Sequence, residues 1–473
     1  MNAPNIKVSP PGPNARKVLA RDGRWIATTT KASPLVVKRA HGSVVEDVDG
    51  NTYVDFTCGV SVTNVGHTNP KVVDAIHAQV DAFTHFAGTD FYYDVQTRLA
   101  ERLADLAPGA RPKKVFFANS GTEANEAAIK LARHHSGKPL FLAFLHGFHG
   151  RTMGSLALTG SKAVQRARFS PMMPGAVHVP YAYCFRCPYK LTYPSCDLYC
   201  ANIIEDLYMK TVIPPGDLAA TFFEPIQGEG GYVVPPPGWV ERIEKITKDN
   251  GALLVADEVQ SGMGRTGKLF AVEHTKAVPD IITLAKSLGS GIPIGATIFD
   301  ARLDFGQQGV HSNTFGGNPV ACAAGIAVLD ILEQERLYAN AERLGAHMHR
   351  RLEEMKERYE IMGENRGVGL MRATEFVTDG HTKAPAPKLR DKIVLDAFKH
   401  GLVLLSAGSS AIRYIPALNI PDALMDTGLD ILEASIRRAA KEALGQTLYT
   451  APTSMPEDDF EDWTTKGMEP GDP

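Results

Sequence analysis

Two stretches decide how this chain is read: Asp280-Ile-Ile-Thr-Leu-Ala-Lys286-Ser-Leu-Gly-Ser-Gly-Ile-Pro293 and Ala252-Leu-Leu-Val-Ala-Asp257-Glu-Val-Gln260. Each is a short apolar run that ends in one ionisable residue. A buried strand hides an amine or a carboxylate unless that group stands at the strand's exposed end. Two such strands, one ending in Lys286 and one in Asp257, point to a cofactor with two handles. Pyridoxal phosphate has them: an aldehyde that takes an amine and a pyridine nitrogen that takes a carboxylate.

Around these strands the pattern repeats. Further strands are expected at Lys114–Ala118, Pro139–Phe144, Ala219–Glu224 and Ile281–Ala285, with the Asp257 strand at Ala252–Asp257. Helices such as Gly121–His134 and Trp239–Asp249 lie between or beside them. Continuous apolar strands alternating with helices predict an α/β domain with a mostly parallel sheet over residues 70–330. Ser43–Phe56 alternates about Asp49-Gly50 and reads as a hairpin. With the Pro-, Lys- and Arg-rich arm before it, read as irregular, it makes an N-terminal segment, 1–69, assigned to a smaller domain. Residues 331–447 complete that α+β domain, with long helices over Leu329–Arg358, Lys388–His400 and Ala423–Leu444. Short strands are expected near Gly367–Thr374 and Ala411–Ile415. The remainder, 448–473, carries Glu457, Asp458, Asp459, Glu461 and Asp462 and reads as a disordered acidic tail.

Composition bounds the function. The chain has 473 residues, 44% hydrophobic and 22% charged, as in ordinary globular enzymes. A net charge of −3 argues against a nucleic-acid partner. No apolar run reaches membrane-span length, and the first residues lack a signal peptide's apolar core. A cytoplasmic enzyme is expected.

Phe116-Phe-Ala-Asn-Ser120-Gly121-Thr122-Glu123-Ala leads from a strand through a turn into a helix, with Ser120 and Glu123 at capping-box spacing. Such an N-terminus presents free amides to an anion; alone, it is also what any capped helix looks like. Together, Asn119-Ser-Gly-Thr-Glu-Ala, Phe148-His-Gly-Arg-Thr152, Glu224-Pro-Ile-Gln-Gly-Glu-Gly230, Asp257-Glu-Val-Gln-Ser-Gly-Met-Gly-Arg-Thr-Gly267, Lys286 and His311-Ser-Asn-Thr-Phe-Gly-Gly-Asn-Pro319 are far more specific. In this order and spacing, over about residues 15–445, the chain resembles the class III aminotransferases of pyridoxal-phosphate fold type I, the aspartate aminotransferase-like fold. It is most similar to the 4-aminobutyrate, ornithine and acetylornithine aminotransferases, and to the archaeal amino-acid racemases on the same scaffold.

The resemblance implies roles. Lys286 would carry the cofactor as a Schiff base and move the proton; Asp257 would keep the pyridine nitrogen protonated. Gln260 would bond the phenolic oxygen, Phe148 would stack on the ring, and His149 belongs with the cofactor-binding residues without a catalytic role. Ser120, Gly121 and Thr122 would hold the phosphate. Thr314 would reach the neighbouring subunit's phosphate, which implies a homodimer or a dimer of dimers. On the substrate side, Arg151 matches the residue for a distal carboxylate and Arg413 that for an α-carboxylate. Glu229 matches the glutamate that pairs with this arginine and swings away for 2-oxoglutarate. Val60 and Glu224 match pocket-lining positions. The implied activity is transfer of an amine from an ω-amino acid, such as 4-aminobutyrate or ornithine, to a keto acid, 2-oxoglutarate. The alternative is amino-acid racemisation, which returns the proton to the same carbon.

Six cysteines are present. Cys58 and Cys322 are isolated and read as buried apolar residues. Cys184, Cys187, Cys196 and Cys200 form C-x2-C-x8-C-x3-C, which departs from the common paired zinc spacings. Structural zinc, two disulfides and packed reduced thiols all stay open, and a structural role is expected for any of them.

Overall fold

In the computed structural model, which describes residues 2–443, the apolar runs pair side by side into a seven-stranded sheet. Its order is Lys113–Ala118, Gly295–Asp300, Ile281–Leu284, Leu253–Asp257, Leu218–Phe223, Leu140–Phe144, Ala176–Val179. Gly295–Asp300 runs antiparallel to both its neighbours, and the other pairings are parallel. Strands 218–223, 253–257 and 281–284 are buried at every residue. That is why their sequences show no alternation: both faces are covered, and the helix Gly121–Ser136 packs across one of them.

Two strands of this sheet were absent from the sequence reading. Ala176–Val179 is a half-buried edge strand containing a histidine, and Gly295–Asp300 begins with a glycine. The N-terminal arm also differs from the irregular segment expected. Pro13–Trp25 is a helix whose first turn is capped from a distance: Asp49 accepts hydrogen bonds from the amides of Asn14 and Ala15, at 2.8 Å each. The hairpin about Asp49-Gly50 forms as read, with strands Val44–Asp47 and Thr52–Asp55. It joins a four-stranded sheet whose last member, Leu402–Val403, comes from the far end of the chain.

The expected helix over Leu329–Arg358 is two helices, Pro319–Gln334 and Leu337–Arg358, broken where Arg336 adopts a left-handed conformation. The single strand expected over Gly367–Thr374 is a hairpin, Met362–Val368 and Met371–Asp379, turning at Gly369. Its second strand pairs with Ala411–Tyr414, which sets Ala373 opposite Arg413. The acidic tail expected from residue 448 lies outside the described residues. Among those residues, no helix is long and apolar enough to cross a membrane.

Candidate active site

Six of the seven strands point their carboxyl ends to one edge of the large sheet, where ligands bind in open α/β sheets, and five of these, all but the edge strand Ala176–Val179, lead into the site. The segments that follow them line a cavity of about 390 Å³. It gathers ten of the residues singled out in the sequence: Ser120, Gly121, Thr122, Phe148, His149, Arg151, Glu224, Asp257, Gln260 and Lys286. Val60, Glu229, Thr314 and Arg413 are not in its wall, where Val62 stands instead of Val60.

Asp257 and Lys286 are brought together by strand register. Asp257 is paired with Thr283 on the adjacent parallel strand, so Lys286 lies one short step beyond. Lys286 opens a tight turn at φ +44°, a left-handed conformation that an L-residue adopts at a cost of about 1–2 kcal/mol. Burial is the main influence on its amine and lowers its pKa, although the Asp257 and Glu224 carboxylates oppose this.

The Asp257 carboxylate is fully engaged. Oδ2 accepts from Asn125 Nδ2 at 2.8 Å and lies 2.8 Å from His149 Nδ1, while Oδ1 accepts from the Val259 amide at 3.0 Å. Burial is the largest influence on the His149 ring and disfavours its charged form, but the hydrogen bond and charge of Asp257 together with the Glu224 charge outweigh it and raise the pKa. The sequence reading passed over Asn125. It also donates to the His149 carbonyl at 2.7 Å and accepts from Thr283 at 3.0 Å. Its signal was there: an asparagine among Ala124, Ala127 and Ala128, on a helix face that should be apolar.

At the other end of the cavity the helix Gly121–Ser136 begins. Ser120 caps it, accepting from the Glu123 amide at 3.3 Å. The Glu123 carboxylate reaches the amide of Asn119 at 2.6 Å, rather than that of Ser120 as a capping box would have it. Among the described residues, no protein acceptor takes the amides of Gly121 and Thr122. The Thr122 hydroxyl is occupied, 2.6 Å from Ser155 Oγ and 2.8 Å from Thr152 Oγ1. Gly150, at φ +136°, presses so close that an added Cβ would sit 2.1 Å from that hydroxyl. An anionic group therefore meets free amides at a helix N-terminus. These features fit pyridoxal phosphate: amides for its phosphate, the flat side chain of Phe148, an anchored carboxylate and a single lysine.

The residues expected to face substrate make contacts of their own. Arg413, almost fully buried, lies 3.3 Å from Glu229 and donates to Gln260 Oε1 at 3.5 Å; among the described residues its Nε has no partner. Gln260 Oε1 also accepts from Tyr232 at 2.7 Å, which leaves the amide of Gln260 to donate. Glu224 accepts from the amides of Phe148 and Gly228, both at 3.1 Å, and burial raises its pKa to about 7. Arg151 is exposed, with its guanidinium 5.6 Å from the Phe148 ring centroid. Thr314 lies outside the cavity, beside exposed Phe315.

The four clustered cysteines line a separate cavity of about 20 Å³, which shares no residue with the first. All six cysteines are free thiols, and Cys58 and Cys322 are buried as expected. Among the described residues, no group of three or more His, Cys, Asp or Glu side chains is placed to hold a metal ion. In the structure Cys184 is exposed, while Cys187, Cys196 and Cys200 are half-buried.

The chain matches the family described as aminotransferase class-III over residues 26–436. It is 39% identical over 421 residues to a leucine/methionine racemase of Thermococcus litoralis, covering 89% of this chain and 94% of that one. It is likewise 39% identical over 402 residues to a 5-aminovalerate aminotransferase of Pseudomonas aeruginosa, covering 84% and 92%. Among solved structures, an amine transaminase from an uncultivated Pseudomonas species, with pyridoxal phosphate bound, superposes with a TM-score of 0.81. That structure is 31% identical, covering 88% of this chain and 98% of its own. The fold is that of a pyridoxal-phosphate enzyme. The chain belongs to the class III aminotransferases.

Proposed function

We propose that the enzyme transfers the amine of an ω-amino acid, 4-aminobutyrate-like or ornithine, to 2-oxoglutarate. The observation that carries this reading is Arg413: a buried arginine with an Nε unpartnered among the described residues, held at 3.3 Å by one carboxylate that sits on a glycine-rich loop. A guanidinium so placed suits the α-carboxylate of a keto acid once Glu229 moves aside. With Glu229 in place the charge is covered, which suits a donor that brings no carboxylate to that point. Arg151, exposed on the cavity wall, serves the distal carboxylate of either substrate.

Pyridoxal phosphate, when bound, supplies an aldehyde for the amine and a ring that accepts carbanion charge. The chain supplies the rest. Gly121 and Thr122 give amides to the phosphate, and Asp257, fixed by Asn125 and His149, holds the pyridine proton. Lys286 takes the proton from the carbon that bears the amine.

Replacement of Arg413 by alanine should lower kcat/KM for 2-oxoglutarate by about 10- to 100-fold, the worth of a hydrogen-bonded charge contact. The ω-amine half-reaction should fall far less. Single-turnover kinetics of the two half-reactions checks this, and equal losses would count against the assignment.

The racemase relative favours a second reading, in which the proton returns to the carbon it left. One enantiomer of leucine or methionine, incubated without keto acid, decides between them. Loss of optical purity means racemisation; glutamate formed only with an ω-amine donor and 2-oxoglutarate means transamination.

The working unit is proposed to be a homodimer in the cytoplasm, with free cysteines suiting a reducing compartment. Exposed aromatic side chains stand near Thr314: Phe315 packs against His85, Phe86 against Phe91, and Tyr92 follows Phe91 in the chain. Covered by a second copy, they would bring Thr314 to the neighbour's phosphate. Tyr92→Asp should shift the protein toward monomer in light scattering and weaken cofactor retention. A variant that keeps the wild-type mass would argue against this face.

A further inference from the structure

Glu229 is shared. Its Oε2 lies 3.3 Å from Arg413 Nη1, and its Oε1 lies 2.8 Å from Lys162 Nζ, so one carboxylate bridges two cations. The cations sit in unlike surroundings, the Arg413 side chain 8% exposed and that of Lys162 39% exposed. Lys162 stands in the turn between the helix Met153–Leu158 and the short helical turn Ala163–Gln165. Its segment is tied to the cavity wall, since the amide of Gly160 donates to the carbonyl of Gly147 beside Phe148. The backbone of Glu229 is anchored from the other side by the amide of Gly408, at 2.8 Å, while glycines 228, 230 and 231 flank it. The side chain is thus free to turn while the chain beneath it stays in place.

We infer that Lys162 is a specificity-determining residue, which holds Glu229 while Arg413 is given over to the α-carboxylate of the keto acid. This rests on the reading of Arg413 given above. If Glu229 left Arg413 with no other partner, a half-buried carboxylate would be stranded, and unpaired charge away from bulk water is strongly disfavoured. With Lys162 already in contact, the exchange trades one of two ion pairs and strands nothing. Without Lys162, Arg413 is the sole cation on Glu229, and an incoming carboxylate must compete with a tighter pair. A donor with no carboxylate at that end leaves the Arg413–Glu229 pair undisturbed and is indifferent to Lys162.

The test is calorimetric titration of the holoenzyme with glutarate, an unreactive dicarboxylate, and with butyrate, a monocarboxylate. Lys162→Met should weaken glutarate about fivefold, the upper range for a partly exposed ion pair, and change butyrate less than about twofold. Lys162→Arg should restore glutarate binding. In a Glu229→Gln background the Lys162→Met effect should vanish, because the coupling runs through that carboxylate. Equal weakening of both ligands would overturn the inference, as would a glutarate loss that persists in Glu229→Gln. Arg413→Ala separates the two levels. If it leaves glutarate binding intact, the reading of Arg413 fails. If it weakens glutarate while Lys162→Met does not, only the role of Lys162 fails.

Discussion

Lys286→Ala should abolish turnover and the visible absorption of the lysine-bound cofactor, while the protein keeps its fold. Among the described residues Lys286 is the only lysine in the cavity wall, and none of the others is placed there to substitute for it. Proton transfer by a positioned side chain is worth about 10²- to 10⁴-fold. Here the same residue also makes the covalent link, so both contributions go together. The left-handed turn at Lys286 supports this assignment independently. Strain of that kind persists where surrounding structure imposes it, and it clusters at functional sites. Burial lowers the pKa of the amine, which enlarges the share able to act as nucleophile and base near neutral pH. Phosphate and ring contacts remain in the variant, so cofactor should still bind, without its covalent bond. A small added amine should restore a trace of the lost rate. Normal turnover in Lys286→Ala would remove the basis of the proposed chemistry.

What the sequence disclosed follows a physical rule. Fully buried strands announce themselves as unbroken apolar runs, and the ionisable residue that ends each run marks the ligand edge. Hence Asp257, Lys286 and the turn at Ser120 were legible without coordinates. Interactions across the chain left weaker marks or none. The helix Pro13–Trp25 depends on a cap from Asp49, over thirty residues away in sequence. The break at Arg336 has neither glycine nor proline to signal it. Lys162 reads as an ordinary polar turn residue until Glu229 is placed beside it. Tyr232, whose hydroxyl fixes Gln260, reads as a core aromatic. Asn125 is the instructive middle case: a polar residue on an apolar helix face is a question the sequence poses, and only the fold supplies Asp257, His149 and Thr283 as the answer.

The largest loss of stability is expected from Glu375→Ala. Glu375 is almost fully buried on the strand Met371–Asp379 and gathers four partners. Arg366 Nη2 lies at 2.5 Å and Arg186 Nε at 3.1 Å, Ser410 donates at 2.9 Å, and the Tyr183 hydroxyl donates as well. Tyr183 and Arg186 flank Cys184, so this carboxylate is where the cysteine-bearing insert docks on the C-terminal hairpin. Arg366 in turn donates to the carbonyl of Gly231 at 2.9 Å, two residues beyond Glu229. Removing the carboxylate leaves Arg366 with Glu364 as its one carboxylate partner and takes the carboxylate from Arg186, and breaking a buried pair in this way costs about 3–5 kcal/mol. Urea unfolding should show the loss, and a midpoint close to wild type would contradict it. The sign with pH can be worked out. Burial is the largest influence and works against the charged form of Glu375, but Arg366, Tyr183 and Arg186 together outweigh it, so the folded-state pKa lies below the ordinary 4.5. A depressed carboxylate contributes its stability above the unfolded pKa and loses it as pH falls through the folded one. Wild type should therefore lose stability more steeply than Glu375→Ala as pH falls from about 5, near the unperturbed carboxylate range. The two curves should converge in acid and run parallel above about pH 6. Because the same network supports the loop that carries Glu229, keto-acid binding should weaken in the variant at neutral pH, where the protein is still folded.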